Sequence, residues 1–167
     1  MNNSLLPPLK LLIFDWGNTL MRDFDELEGP MYYWDHVEVI DGVEDFLNLC
    51  YDKYPLAVAT NAGYSDTALM IKALNRGGID KCFSYFYSSK DLGVAKPDPQ
   101  FFLSIACEIK IEPSSIAVFG NDYRKDIEPA KKAGMITFFF NENNIPGNYP
   151  DADFVFCRFD ELFGLFM

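Results

Sequence analysis

Short apolar runs alternate along the chain with stretches whose apolar residues fall at helical spacing. Leu11-Leu12-Ile13-Phe14 is the first run; it is too brief for a helix, follows Pro7-Pro8, and reads as a strand over 9–14 buried on both faces. Further strands are expected at Leu56-Ala57-Val58-Ala59, over 82–87, at Ile116-Ala117-Val118-Phe119, over 135–140 and at Phe154-Val155-Phe156. Between them, Val43, Phe46, Leu47 and Leu49-Cys50 follow Asp41-Gly42 as one helix that stops before Pro55. A second helix carries Ala68, Leu69, Ile71 and Leu74 from a Ser65-Asp66 cap to Gly77-Gly78. A third runs over 99–110 with proline in its first turn, a fourth ends at Gly134, and a helical tail starts near Asp160. Strand and helix in alternation with short joins predict an α/β fold of three layers, a Rossmann-like, doubly wound parallel sheet. No repeat, low-complexity tract or linker interrupts it, so residues 1–167 read as a single domain.

Three stretches fall outside the pattern. Residues 1–8 read as a loose lead-in and 141–150 as a turn-rich loop. Residues 17–36 form a flap or extended loop, whose Tyr32-Tyr33-Trp34 either line a pocket, form a subunit contact or tuck into the core.

Polar residues gather where the strands end. Asp15 follows the first, Thr60-Asn61 the second, and Gly120-Asn121-Asp122 the fourth, with Asp126 one helical turn beyond. Parallel strands place these ends on one edge of the sheet, where open α/β sheets bind ligands. Each residue alone has an ordinary structural explanation: Asp15 and Asp122 as caps, Lys96 as a surface charge. Together they are better read as one site. Asp15, Asp122 and Asp126 would repel one another without a cation, and an all-oxygen ligand set suits Mg²⁺. Lys96, just ahead of a helix N-terminus, offers a compact charge for an anion, and Thr60 a hydroxyl.

Composition narrows the partners. A net charge of −11 argues against nucleic acid or an anionic membrane surface, so an anionic substrate must meet a local positive site. No apolar run nears the roughly 18 residues of a membrane span, and the N-terminal stretch lacks a signal-peptide pattern, which leaves the cytoplasm as the expected location. Cys50, Cys82, Cys107 and Cys157 are widely spaced and the chain has one histidine, His36, so zinc is not expected and the thiols are read as free and mostly buried.

From about Leu11 to Asn141 the chain resembles the haloacid dehalogenase superfamily of hydrolases. The resemblance lies in Asp15-Trp16-Gly17-Asn18-Thr19, Thr60-Asn61, Lys96-Pro97-Asp98-Pro99, Gly120-Asn121-Asp122 with Asp126, and the stretch from Ile127-Glu128-Pro129-Ala130 to Ala133-Gly134. It implies that Asp15 is a nucleophile forming an aspartyl-phosphate, and that Thr60, Asn61 and Lys96 hold the transferring phosphoryl group. Mg²⁺ would lie on Asp15, the backbone carbonyl of Gly17, Asp122 and Asp126. The interval from Thr19 to Thr60 is too short for a cap domain, so the site should be open to a phosphorylated small molecule or macromolecule, or be closed by a second copy in a homo-oligomer.

Two positions depart from the family pattern. Asn121 stands where many members have Asp, so the resemblance implies either that the metal ligand shifts to Asp122 or that it is weaker. Gly17 stands where the phosphatases have a second Asp, the residue that protonates the leaving alcohol and activates water. Turnover of ordinary phosphomonoesters should then be slow, and acyl phosphates should suffer less, unless Asp23, Asp25 or His36 serves from the flap. A phosphate- or metal-binding protein with little catalysis is the alternative reading. Dehalogenase-type hydrolysis ranks third, since it needs no Mg²⁺ and typically draws an arginine from a cap.

Overall fold

The computed structural model describes residues 6–167, so the first five residues of the lead-in expected over 1–8 lie outside the described residues. Leu11–Phe14, buried at every position, forms strand β1. β2 (Leu56–Thr60), β3 (Tyr85–Ser88), β4 (Ile116–Gly120), β5 (Ile136–Phe140) and β6 (Phe154–Phe156) join it in one six-stranded sheet ordered β3-β2-β1-β4-β5-β6. Every pairing is parallel. The chain order reverses beside β1, which puts the sheet's switch point between β1 and β4.

Alternation along β1 sends Leu12 and Phe14 to one face of the sheet and Leu11 and Ile13 to the other, giving two buried cores. The first core holds α1 (Val43–Cys50), α2 (Thr67–Arg76) and α6 (Phe163–Phe166); the second holds α4 (Gln100–Ile109) and α5 (Glu128–Lys132). On the first face Phe14, Phe119, Phe138 and Phe154 stack across four neighbouring strands, with ring centroids 4.6, 4.5 and 4.6 Å apart. Each stacked pair is worth about 0.5–1.5 kcal/mol beyond its burial. A one-residue slip would turn these rings to the opposite face, so the ladder helps to fix the register.

Several elements differ from the expected ones. The segment after β3, for which the sequence pattern predicts no helix, forms α3 (Ser89–Leu92): the Ser88 hydroxyl accepts the Asp91 N–H and the Asp91 carboxylate accepts the Ser88 N–H. The helix expected to run to Gly134 opens instead with a wide π-helical turn over Tyr123–Ile127 before α5. Only Cys50 is buried; Cys82 and Cys157 are half-buried and Cys107 is exposed. No separate cap domain is inserted among the described residues. None of their helices is long and apolar enough to cross a membrane.

Candidate active site

The sheet register sets the site. Phe14 is paired with Val58 on one side and Phe119 on the other, so Asp15 leaves β1 level with the ends of β2 and β4. Its N–H donates to the Phe119 carbonyl at 2.9 Å. The chain then turns sharply: the Trp16 carbonyl accepts from the N–H groups of Thr19, Leu20 and Met21, and Asn18 takes a left-handed φ of 58°. Asparagine accepts that conformation more readily than most residues. The turn carries Thr19 back beneath the site, fully buried, with its hydroxyl 3.2 Å from both Asp15 Oδ2 and Asn121 Oδ1. One proton serves one of these acceptors at a time, while Thr19 Oγ1 also accepts the Asn121 N–H at 3.1 Å.

Lys96 reaches the same point from the opposite side. Asn61 holds its backbone at both polar atoms: Asn61 Nδ2 donates to the Lys96 carbonyl at 2.9 Å, and Asn61 Oδ1 accepts the Lys96 N–H at 2.8 Å. The Lys96–Pro97 peptide is cis. Lys96 Nζ, almost entirely buried, donates to Asp15 Oδ1 and Asp126 Oδ1, each at 2.7 Å, and to the Ala59 carbonyl at 3.2 Å. Burial works against its charge, but the Asp126 and Asp15 carboxylates outweigh it and raise the Lys96 pKa above the ordinary lysine value.

Asp126 and Asp122 have different surroundings. Asp126 is buried; its Oδ1 takes the Lys96 ammonium and its Oδ2 accepts the Asp122 N–H at 3.0 Å. Burial, together with the Asp15 charge, pushes its pKa up against the pull of Lys96. The π-helical turn tucks this carboxyl against Gly120, where a Cβ would fall 2.3 Å from the Asp126 Cβ. Asp122 caps the turn instead: its Oδ1 accepts the N–H groups of Arg124 and Lys125, and its Oδ2 lies 4.0 Å from Lys125 Nζ.

The seven residues assigned nucleophile, phosphate or metal roles from the sequence border one cavity of about 230 Å³: Asp15, Gly17, Thr60, Asn61, Lys96, Asp122 and Asp126. Lys125 also lines it, and the only sequence signal for that residue was a basic pair, Arg124-Lys125, after a strand end. Of the three flap candidates, Asp23 lines the cavity. Asp25 does not, and His36 sits out in solvent with Nε2 3.9 Å from Glu38. A second cavity of about 310 Å³ adjoins the first through Gly17, Asp23, Thr60 and Asn61, with Trp16, Phe24 and Trp34 among its walls. The flap aromatics thus divide: Trp34 is buried and donates to the Glu28 carbonyl, whereas Tyr33 is exposed.

The donor atoms suit a hard cation held in part by water and substrate. Among the described residues no three acidic, histidine or cysteine side chains converge as a metal cage. What the edge offers is the Asp15 carboxylate, the Asn121 amide oxygen that shares the Thr19 hydroxyl with it, the rim carboxylate of Asp122 and the backbone of Gly17. Magnesium is often held by only one or two carboxylates, completing its shell with water and phosphate oxygens. The residues present fit that ion.

Residues 17–134 match the family model for haloacid dehalogenase-like hydrolases. A glyceraldehyde 3-phosphate phosphatase from Methanopyrus kandleri is 36% identical over 80 residues, which is 48% of this chain and 33% of that protein. The chloroplastic 5-amino-6-(5-phospho-D-ribitylamino)uracil phosphatase of Arabidopsis thaliana is 29% identical over 140 residues, 83% of this chain and 35% of that protein. The chain thus spans about a third of the length of the curated relatives it matches. Among solved structures, the HAD hydrolase YfnB of Bacillus subtilis, bound to magnesium, superposes with a TM-score of 0.78 at 17% identity, covering 96% of this chain and 99% of that one. With a parallel sheet of this order, a strand-end aspartate in contact with a buried lysine, and a family match over most of its length, the chain belongs to the haloacid dehalogenase-like hydrolases.

Proposed function

We propose that the chain is a magnesium-dependent phosphohydrolase in which Asp15 takes the phosphoryl group before water does. The contact that carries this reading is Lys96 Nζ on Asp15 Oδ1 at 2.7 Å, at the floor of a polar cavity on the ligand-binding edge of the sheet. The matched relatives are named as phosphatases, which supports the same class of reaction.

In the first half of the reaction an Asp15 carboxylate oxygen attacks phosphorus and the substrate oxygen departs, leaving an aspartyl-phosphate. Lys96, the Thr60 hydroxyl and the Asn61 backbone N–H hold the phosphoryl oxygens, since the Asn61 side chain is already engaged with Lys96. Water then attacks phosphorus and returns Asp15 to its carboxylate. Lys96 with Asp15 and Asp126 sums to one net negative charge, so a phosphate dianion needs a further cation. Magnesium held by Asp15, the Gly17 carbonyl and Asp122, with Asn121 beside them and Asp126 acting from behind Lys96, would supply that charge. Gly17 has no side chain to donate a proton, so ordinary phosphomonoesters depend on a donor elsewhere in the cavity.

The substrate is a phosphorylated small molecule or a phosphorylated macromolecule reaching an open edge, and a second copy of the chain could close that edge. The acidic chain disfavours nucleic acid and membrane surfaces. Four unpaired thiols suit the reducing cytoplasm.

A phosphatase assay with 4-nitrophenyl phosphate tests the reading. Turnover that needs Mg²⁺ and is lost in Asp15→Asn is the expected result. Phosphate binding without turnover would instead describe a binding protein, and metal-free halide release from a 2-haloacid would describe a dehalogenase.

A further inference from the structure

We infer that Asp23, on the flap, is the acid and base of the reaction. The inference rests on the phosphohydrolase reading above. An alkoxide is a poor leaving group and must receive a proton as its bond to phosphorus breaks, and water must lose one as it attacks. Of the cavity's other ionisable groups, Lys125 is an exposed ammonium 4.0 Å from Asp122 Oδ2, and the rest are engaged. Lys96 Nζ is bound to two carboxylates, Asp126 uses both oxygens inside the protein, and Asp122 Oδ1 caps a helical turn. Among the described residues the Asp23 carboxyl has no hydrogen-bond or ion-pair partner, and it lines the cavity together with Asp15.

Its position is set by the backbone around it. The Asp23 N–H donates to Asn18 Oδ1 at 3.0 Å, a bridge joins Gly17 to Met21, and Arg22 is clamped by Glu142 at 2.7 and 2.8 Å. This brings the carboxyl over Gly17: a Cβ built on Gly17 would lie 3.2 Å from Asp23 Oδ2 and 3.4 Å from its Cβ. The space in front of position 17, two residues beyond Asp15, is therefore already occupied by a carboxyl from the flap. Glycine at 17 makes room for it.

As the Asp15–phosphorus bond forms and the ester bond breaks, the electron pair stays on the leaving oxygen, which takes the proton of the Asp23 carboxyl. Water then attacks phosphorus and gives its proton to the Asp23 carboxylate, while the bond to Asp15 breaks and its electrons return to that carboxylate. The products are an alcohol and inorganic phosphate.

Steady-state and acid-quench assays with Mg²⁺, on glycerol 3-phosphate and 4-nitrophenyl phosphate, compare the parent chain with Asp23→Asn and Asp23→Ser. Both variants should lose roughly 10²–10⁴-fold in kcat/KM on the alkyl phosphate. They should still release a first equivalent of nitrophenolate and accumulate acid-stable phosphoenzyme. A double variant, Gly17→Asp with Asp23→Ala, should recover alkyl turnover over Asp23→Ala alone by at least an order of magnitude. Alkyl turnover within threefold of the parent in either single variant, or equal losses on both substrates including the first equivalent, overturns the assignment while leaving the phosphohydrolase reading intact. A parent chain inactive on both substrates overturns both.

Discussion

Lys96 Nζ lies 2.7 Å from Asp126 Oδ1 with both side chains almost entirely buried, and the same ammonium holds Asp15. Removing the lysine would leave two carboxylates facing each other with little water between them. Breaking one side of a buried ion pair costs about 3–5 kcal/mol, because the remaining charge is uncompensated. Lys96→Met should therefore fold with a stability lowered by that amount in urea denaturation, and should lose activity. Asp126→Asn, which keeps an acceptor for Lys96, should cost less, about 1–3 kcal/mol. Equal costs would mean that the pair is not the source of the stability.

Gly120 is required by its neighbour. A side chain there would meet the Asp126 Cβ at 2.3 Å and its Oδ2 at 2.4 Å, and backbone on both sides is fixed by β4 and by the π-helical turn. Overpacking of this kind typically costs about 1–3 kcal/mol. Gly120→Ala should fall in or above that range and should displace Asp126 from Lys96, so activity should fall with stability. An alanine variant with parental stability would show that Asp126 has another place to go.

The larger cavity beside the site should read the charge of the leaving group. Asp23 and Asp25 face it alongside Trp16, Phe24, Trp34 and Tyr64, and among the described residues no lysine or arginine lines it. Aryl phosphates with a neutral or cationic ring substituent should exceed carboxylated ones in kcat/KM by about tenfold or more, equivalent to about 1.4 kcal/mol of transition-state binding. Asp25→Asn, which leaves Asp23 in place, should narrow that ratio. An unchanged ratio would mean that the leaving group does not enter this cavity.

The strands were legible because each is a buried apolar run, and their shared polarity could be read from the alternation with helices. That alternation alone places Asp15, Thr60-Asn61 and Asn121-Asp122 on one edge of the sheet. The spacing of Asp122 and Asp126 was less informative. A regular helix would put both on one face, but the wide turn over Tyr123–Ile127 sends Asp126 inward and leaves Asp122 as a cap. Gly17 was legible as a missing side chain, but its relation to Asp23 was not. That relation depends on the sharp turn at Trp16–Met21 and on the Arg22–Glu142 clamp, which links residues 120 positions apart. Thiol burial was legible only at Cys50; Cys82 and Cys157 are half-buried and Cys107 exposed, because residues adjacent in sequence point to different faces of an element.

The clamp on the flap should be lost in acid. Glu142 accepts both Arg22 N–H groups and lies on the loop after β5, and the Arg22 hydrogen bond holds its carboxyl below the ordinary glutamate value in spite of partial burial. A depressed folded-state pKa stabilises the protein above the unfolded glutamate value of about 4.3, and this contribution disappears as pH falls through the lower folded value. The pair is partly exposed, with side chains 27% and 37% accessible, so solvent screening limits it to less than about 1 kcal/mol. Glu142→Gln should therefore be slightly less stable than the parent at pH 7, indistinguishable from it near pH 3, and closer to it in high salt at pH 7. Urea denaturation at both pH values checks this. A difference that persists unchanged into acid would mean that Glu142 acts through packing rather than charge, and that the flap carrying Asp23 is held by other contacts.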